Sequence, residues 1–330
     1  MRKIDWDKYR FRCSQLSLIM GGNIGLTEKQ LSDMEELKNE KKTGVNINNN
    51  KIKWTDAKEE KLSAFIKTHE EQELPKGMQT ELRKIFRAES EDRNFVMTTK
   101  YLVKGLQQEE ESITLYQQYR NSNGIRTYFK KNDVRLYNEY LSGEPDINPL
   151  IAEIEGVNKK IGFDTKTAWE LKTMPFPDDA LSKPNDWQNH GYIFLTGADE
   201  WWTVNALVNA TEDAVFKEKQ KHYFALKTKD RMPDEEGSKY YDEYIRLCRD
   251  IEKMMIFDYD RFVDQNAHIM EIQKEEWHRN QWDIIMSRRI VERATYYSAK
   301  KQQEIIDRVL IGRKYFKQLQ SQIDSQKLLV

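Results

Sequence analysis

The chain has 330 residues, enough for one large α/β domain with insertions or for two smaller ones, and 33% charged against 38% hydrophobic residues describe a very polar globular protein. Lysine and arginine (54) nearly balance aspartate and glutamate (55), so a polyanion would have to be held by local patches and not by overall charge. The two cysteines, Cys13 and Cys248, exclude a disulfide framework, a four-cysteine iron–sulfur cluster and a four-cysteine zinc site; they suit a reducing cytoplasm, and with no run of 18 apolar residues no membrane role is expected.

The N-terminal stretch ends in Leu16, Leu18, Ile19 and Met20, a short apolar helix suited to docking on a core. From Leu26 to about Lys61 the chain is charge-rich, and the insert GVNINNNK (Gly44–Lys51) reads as a surface loop. A long helical stretch follows, broken at LPKG (Leu74–Gly77). The next helix, TTKYLVKGLQQEEESITLYQQY, carries Leu102, Leu106, Ile113 and Tyr116 on one stripe, and the position the stripe requires between Leu106 and Ile113 is Glu109. A small rotation of the helix would put Glu110 there instead.

From Ile125 the pattern turns strand-like: IRTYFKK, VRLYNEYLSG, IGFDTKTA after a loop, HGYIFLTG and WWTVNALVN are rich in β-branched and aromatic residues. Of Trp201 and Trp202, one should face the core and one the surface. From Asp234 the chain is helical again, with Tyr244, Cys248, Ile251 and Met255 on one stripe, then a short strand at RIVERATYY and a last helix from about Ala299 to Leu319. These patterns predict a helical segment at 1–90, an α/β core at 91–215 and a mainly helical region at 216–330.

In IGFDTKTA, Asp164 and Lys166 share one face of a strand, roughly 6.5–7 Å apart along it. An acid two residues before a base carries little by itself, since at this composition it arises by chance at roughly nine places. What singles this pair out is the strand around it and the preceding SGEPDI, where Pro145 fixes a turn directly ahead of Asp146. If the two strands are neighbours, Asp146 and Asp164 converge, and convergent carboxylates are costly without a cation. Oxygen donors suit Mg2+ or Mn2+; His69, His190, His222, His268 and His278 lack zinc-motif spacing, so zinc is not expected. Lys166 beside such an ion could orient or deprotonate a water and offset charge on a phosphate, which makes metal-assisted phosphodiester hydrolysis the reaction these groups serve best.

Gly-x-Pro-Asp at Gly143–Asp146 followed by Asp-x-Lys at Asp164–Lys166 resembles the PD-(D/E)XK nuclease superfamily. Gln188 and Tyr192 in DWQNHGY, which would share a helix face, are similar to the Gln-x-x-x-Tyr motif of its RecB-like and phage exonuclease branch. KGLQQEEES resembles the Gly-x-x-x-Glu helix of lambda-exonuclease-like members, in which the glutamate joins the metal site, and RFRCSQLSLIM resembles their short N-terminal helix, whose serine contacts DNA phosphate. The resemblance spans Arg12 to about Val208, and Asp164 stands where many members carry Glu.

The resemblance implies an α/β fold with a restriction-endonuclease-like core, a mixed central sheet flanked by helices, carrying helical N- and C-terminal additions. It implies a metal-dependent DNA nuclease, first an exonuclease acting on linear ends in phage replication or recombination. The alternatives are a structure-specific endonuclease of the same superfamily and a non-catalytic DNA-binding protein. By resemblance, Glu109, Asp146, Asp164 and the Thr165 carbonyl hold the metal, Lys166 assists, and Ser14, Gln188 and Tyr192 meet DNA or, for the last two, brace the ligands. Lys130, Lys131, Arg288, Arg289 and Arg293 are further candidates for phosphate contacts, against the default of a solvated face. The implied partners are DNA, a single-strand annealing protein and further copies of the chain, and the implied location is the cytoplasm, the host's if the chain is phage-encoded.

Overall fold

A computed structural model describes residues 2–22, 24–48, 50–71, 74–93, 100–124, 128–154, 156–229, 239–266 and 282–327. In chain order the elements are β1 (Phe11–Arg12), α1 (Leu16–Ile19), α2 (Glu28–Thr43), α3 (Asp56–Glu71), α4 (Lys76–Ser90), α5 (Lys100–Ser122), β2 (Leu136–Tyr137) and β3 (Leu141–Gly143). They continue as β4 (Ile147–Ile154), β5 (Val157–Thr167), α6 (Lys183–Thr196), β6 (Glu200–Ala206), α7 (Glu212–Lys227), α8 (Lys239–Met255), α9 (Tyr259–Asn266), β7 (Ile290–Tyr296) and α10 (Ala299–Lys327). Two compact units result: Met1–Phe95 with Glu139–Leu141 and Lys300–Val330, and Val96–Asn138 with Ser142–Ala299. Among the described residues no helix is long and apolar enough to cross a membrane.

The first unit is helical. Thr27 and Gln30 form a reciprocal capping box at the start of α2, and Gly44, with φ 72°, ends it, after which the polar insert closes on a Val45–Lys51 bridge. The core is aromatic: Phe316 of α10 lies 4.8 Å from Trp6, 5.3 Å from Tyr9 and 5.6 Å from Phe11, ring centre to ring centre. One turn earlier on the same face, Gly312 admits the Phe11 ring, which a Cβ would meet at 2.8 Å.

The second unit is built on a mixed sheet of order β4-β5-β6-β7, in which β5 and β6 run parallel and the outer pairs antiparallel. Helix α5 covers one face, packing Ile113, Leu115 and Tyr116 with Phe129, Ile147, Phe163 and Val204. Helix α6 covers the other, with the Tyr192 ring 4.9 Å from that of Trp201 and the Asn189 amide donating to the hydroxyls of Thr203 (2.9 Å) and Thr295 (3.1 Å). The split follows strand alternation: Phe163 and Val204 point to α5, while Gly162, Asp164, Trp201 and Thr203 point to α6. Gly162 has no substitute here, because a Cβ would stand 2.1 Å from the Trp201 ring. Beyond the sheet, α7, α8 and α9 bury Val215, Ile251, Met255, Phe262 and Val263 in a core of their own.

Three expectations are corrected. HGYIFLTG is not a strand: it lies in α6, which starts at the Ser182 cap with Pro184 in its first turn and ends at Gly197, φ 65°. Burial of Tyr192 and Ile193 against the sheet outweighs their β propensity. The segment between Pro-Asp and Asp-x-Lys is not a loop but β4, which turns at Gly156 (φ 77°) into β5. Of IRTYFKK, residues 125–127 lie outside the described residues, Tyr128–Lys130 are not in a strand, and Lys131 makes a single bridge to Ile147. RIVERATYY supplies β7, so the sheet draws its fourth strand from beyond residue 215, while α10 belongs to the helical unit.

Candidate active site

Ile147 stands opposite Phe163 in the β4–β5 pair, which brings Asp146, one residue before the strand, opposite Asp164. Asp146 Oδ2 accepts the Thr165 N–H at 2.7 Å and the Thr165 hydroxyl at 2.9 Å. The turn that carries Asp146 is gripped from two sides. Asn132, buried at 4% exposure, donates its backbone N–H to the Asp146 carbonyl (2.9 Å) and its side-chain amide to the carbonyls of Pro145 (3.0 Å) and Val134 (2.8 Å). From α6, the Tyr192 hydroxyl donates to the Glu144 carbonyl (3.1 Å) and accepts from the Gln188 amide (3.1 Å).

Asp164 is 1% exposed, and the Lys166 ammonium lies against its Oδ2. The contact is ionic, since no aligned hydrogen bond reaches that oxygen among the described residues. Asn205 stands opposite Lys166 in the parallel β5–β6 pair, and its buried amide nitrogen has no partner among the described residues. Glu109 enters from α5 with its carboxylate 3.3 Å from the Lys131 ammonium. A Ser112–Thr167 hydroxyl contact of 2.9 Å, one helical turn on, ties α5 to the end of β5. Exposure separates the two glutamates: Glu109 is 22% exposed and its charge acts on Asp146 and Lys166, whereas Glu110 is 80% exposed.

Burial first, and then the charge of Asp164, push the Asp146 carboxyl up to about 7, with Glu109 adding to the rise and Lys166 and the Thr165 N–H opposing it. For Lys166, burial disfavours the ammonium, but Asp164, Asp146 and Glu109 outweigh it and hold the group above the ordinary lysine range. A lysine so held is charged at neutral pH in the metal-free protein, where it can donate hydrogen bonds and offset negative charge.

Among the described residues no three Asp, Glu, His or Cys side chains form a ready-made metal cage. Glu109 is held by Lys131 and Asp164 by Lys166. The donor set still fits a hard divalent cation: it offers oxygens only, and the Asp146 carboxyl is raised by burial and by the neighbouring charges of Asp164 and Glu109, which a cation would offset.

Ser14 is exposed in a turn of the helical unit. Arg289 Nε donates to the Leu207 carbonyl (2.8 Å), and Arg293 Nη1 reaches those of Asp179 (3.4 Å) and Ala180 (3.3 Å). The cleft of about 440 Å³ that Arg289 lines also carries Glu110, Glu111 and Asp258, an acidic lining that repels phosphate. Lys130 and Arg288 are exposed, Lys131 is paired, and the tryptophans pack, Trp201 fully buried and Trp202 half-buried against the α5-side core. Asn132, Ser112 and Asn205 have no sequence signal; each is a lone polar residue whose role exists only once the strands are in register.

The chain is similar in fold to the crystal structure of a phage-related exonuclease from Haemophilus somnus 129PT, with a TM-score of 0.55 over 96% of this chain and 97% of that one, at 19% identity. No protein-family model and no curated protein matches the chain.

Proposed function

We propose that the chain is a metal-dependent deoxyribonuclease with a PD-(D/E)XK core, acting as an exonuclease on the ends of linear DNA. The observation that carries this reading is Asp146 facing Asp164 across the β4–β5 pair, with Lys166 on the Asp164 carboxylate and Glu109 entering from α5. Held by Asp146, Asp164, Glu109 and the Thr165 carbonyl, a Mg2+ or Mn2+ ion would supply Lewis acidity at the phosphate and an attacking water of lowered pKa. Lys166, kept charged, orients that water and offsets charge gathering on the phosphate. Gln188 and Tyr192 act by bracing the Asp146 turn.

The exonuclease reading draws on the likeness to a phage-related exonuclease over nearly the whole chain. A phage recombination role in the host cytoplasm, beside a single-strand annealing protein and with copies of the chain assembled on DNA, belongs to the same proposal and rests on the resemblance alone. The test is digestion of end-labelled linear duplex and of covalently closed circles, with Mg2+ and with EDTA. The linear substrate should shorten from its ends only with Mg2+ while the circle survives. Nicking of the circle would make the protein an endonuclease, and a mobility shift without cleavage would make it a binder.

A further inference from the structure

We propose that Lys131 is a built-in counter-cation of Glu109 that a divalent ion has to displace, so that this lysine sets the metal affinity of the site. The inference rests on the metal-dependent reading and adds a competitor to it. Lys131 Nζ sits between two adjacent carboxylates of α5, 3.3 Å from Glu109 and 3.5 Å from Glu110. Its backbone is not free to drift. Lys131 bridges to Ile147, Asn132 donates to the Asp146 and Pro145 carbonyls, and Phe129 is pinned by its N–H to Gln117 Oε1 (3.1 Å) and by its ring, 4.9 Å from that of Phe163. The ammonium is therefore carried by the same segment that holds the Asp146 turn, and it reaches the inner glutamate from there.

The two glutamates give the lysine two stations. While no ion is bound, the ammonium compensates the inner carboxylate, which otherwise adds to the negative charge around Asp146. When an ion takes Glu109, the exposed Glu110 remains within reach, so the lysine keeps a partner, but its closer pairing with the inner Glu109 still has to be broken. A carboxylate shared between a tethered cation and a free one binds the free one more weakly, by the strength of the ion pair that must be broken.

The experiment is calorimetric titration of the full chain with Mn2+ and with Mg2+, in the absence of DNA. Lys131→Met keeps the aliphatic stem and removes the charge; it should bind either ion about five- to tenfold more tightly than wild type. Lys131→Arg keeps the pairing and should stay within about twofold of wild type, as should Lys130→Ala, which removes an exposed neighbouring charge. Equal or weaker binding by Lys131→Met, or an equal gain in Lys130→Ala, would overturn the proposal while leaving the metal site standing, provided Asp164→Asn abolishes binding. Absence of binding by wild type and every variant would remove both the metal site and its competitor.

Discussion

Asp164→Asn should lose cleavage of linear DNA by about a thousandfold or more while keeping its fold. The substitution is isosteric, so the packing of β5 between α5 and α6 is retained, and what disappears is a single negative charge at a position 1% exposed. Two consequences follow from that charge. Without it one of the inward carboxylates that would hold a cation is gone, and the Lys166 ammonium loses the partner that fixes its direction. Lys166→Ala removes only the second of these, so its loss should be smaller than that of Asp164→Asn and should leave binding of Mn2+ measurable. Steady-state rates on an end-labelled duplex, with near-ultraviolet circular dichroism as the check on folding, decide both. A rate in Asp164→Asn within tenfold of wild type would take this residue out of the chemistry.

Stability of the metal-free protein should fall as pH rises from about 5 to 8, by on the order of 2 kcal/mol after allowance for solvent access. Asp146 is raised from its ordinary 3.8 to about 7, by burial first and the charge of Asp164 second. Between those values the folded state holds a proton that the unfolded state has given up. Stability therefore declines with pH across this interval and levels off above the folded value. The proton is shared within a cluster of carboxylates, so the transition reports the group and not one residue. Asp146→Asn should flatten the slope, and millimolar Mn2+ at pH 8 should restore stability, because an ion that binds only the folded state raises it by mass action. Melting curves at pH 5 and pH 8, with chelator and with Mn2+, give all of these values. A slope that persists unchanged in Asp146→Asn would assign it to other groups.

Much of this site is written in local pattern. The alternation of IGFDTKTA puts Asp164 and Lys166 on one face whatever the fold around them, and the stripe of α5 marks position 109 as inward. The register was not legible, and the reason is Pro149. INPLIAEI has a proline in its middle, which argues against a strand in the interior of a sheet. β4 is an edge strand, however, and its pairing shifts between Ile147 and Leu150, where the proline costs no ladder bond. Only that pairing brings Asp146 opposite Asp164. Helix α6 is hidden for a related reason: Tyr192, Ile193 and Phe194 look like strand residues unless the Ser182 cap and the Gly197 stop are weighed against them. The return of β7 to the sheet and of α10 to the helical unit joins residues far apart in sequence, which no local signal encodes.

The account turns on whether these acids take a divalent ion together. Anomalous scattering from crystals grown with millimolar Mn2+ measures this without reference to activity. One or two peaks should appear, held by the carboxylates of Asp146 and Asp164, with Glu109 turned from Lys131 toward the ion. Crystals in which Mn2+ binds elsewhere on the chain, with Lys166 and Lys131 still seated on Asp164 and Glu109, would contradict it.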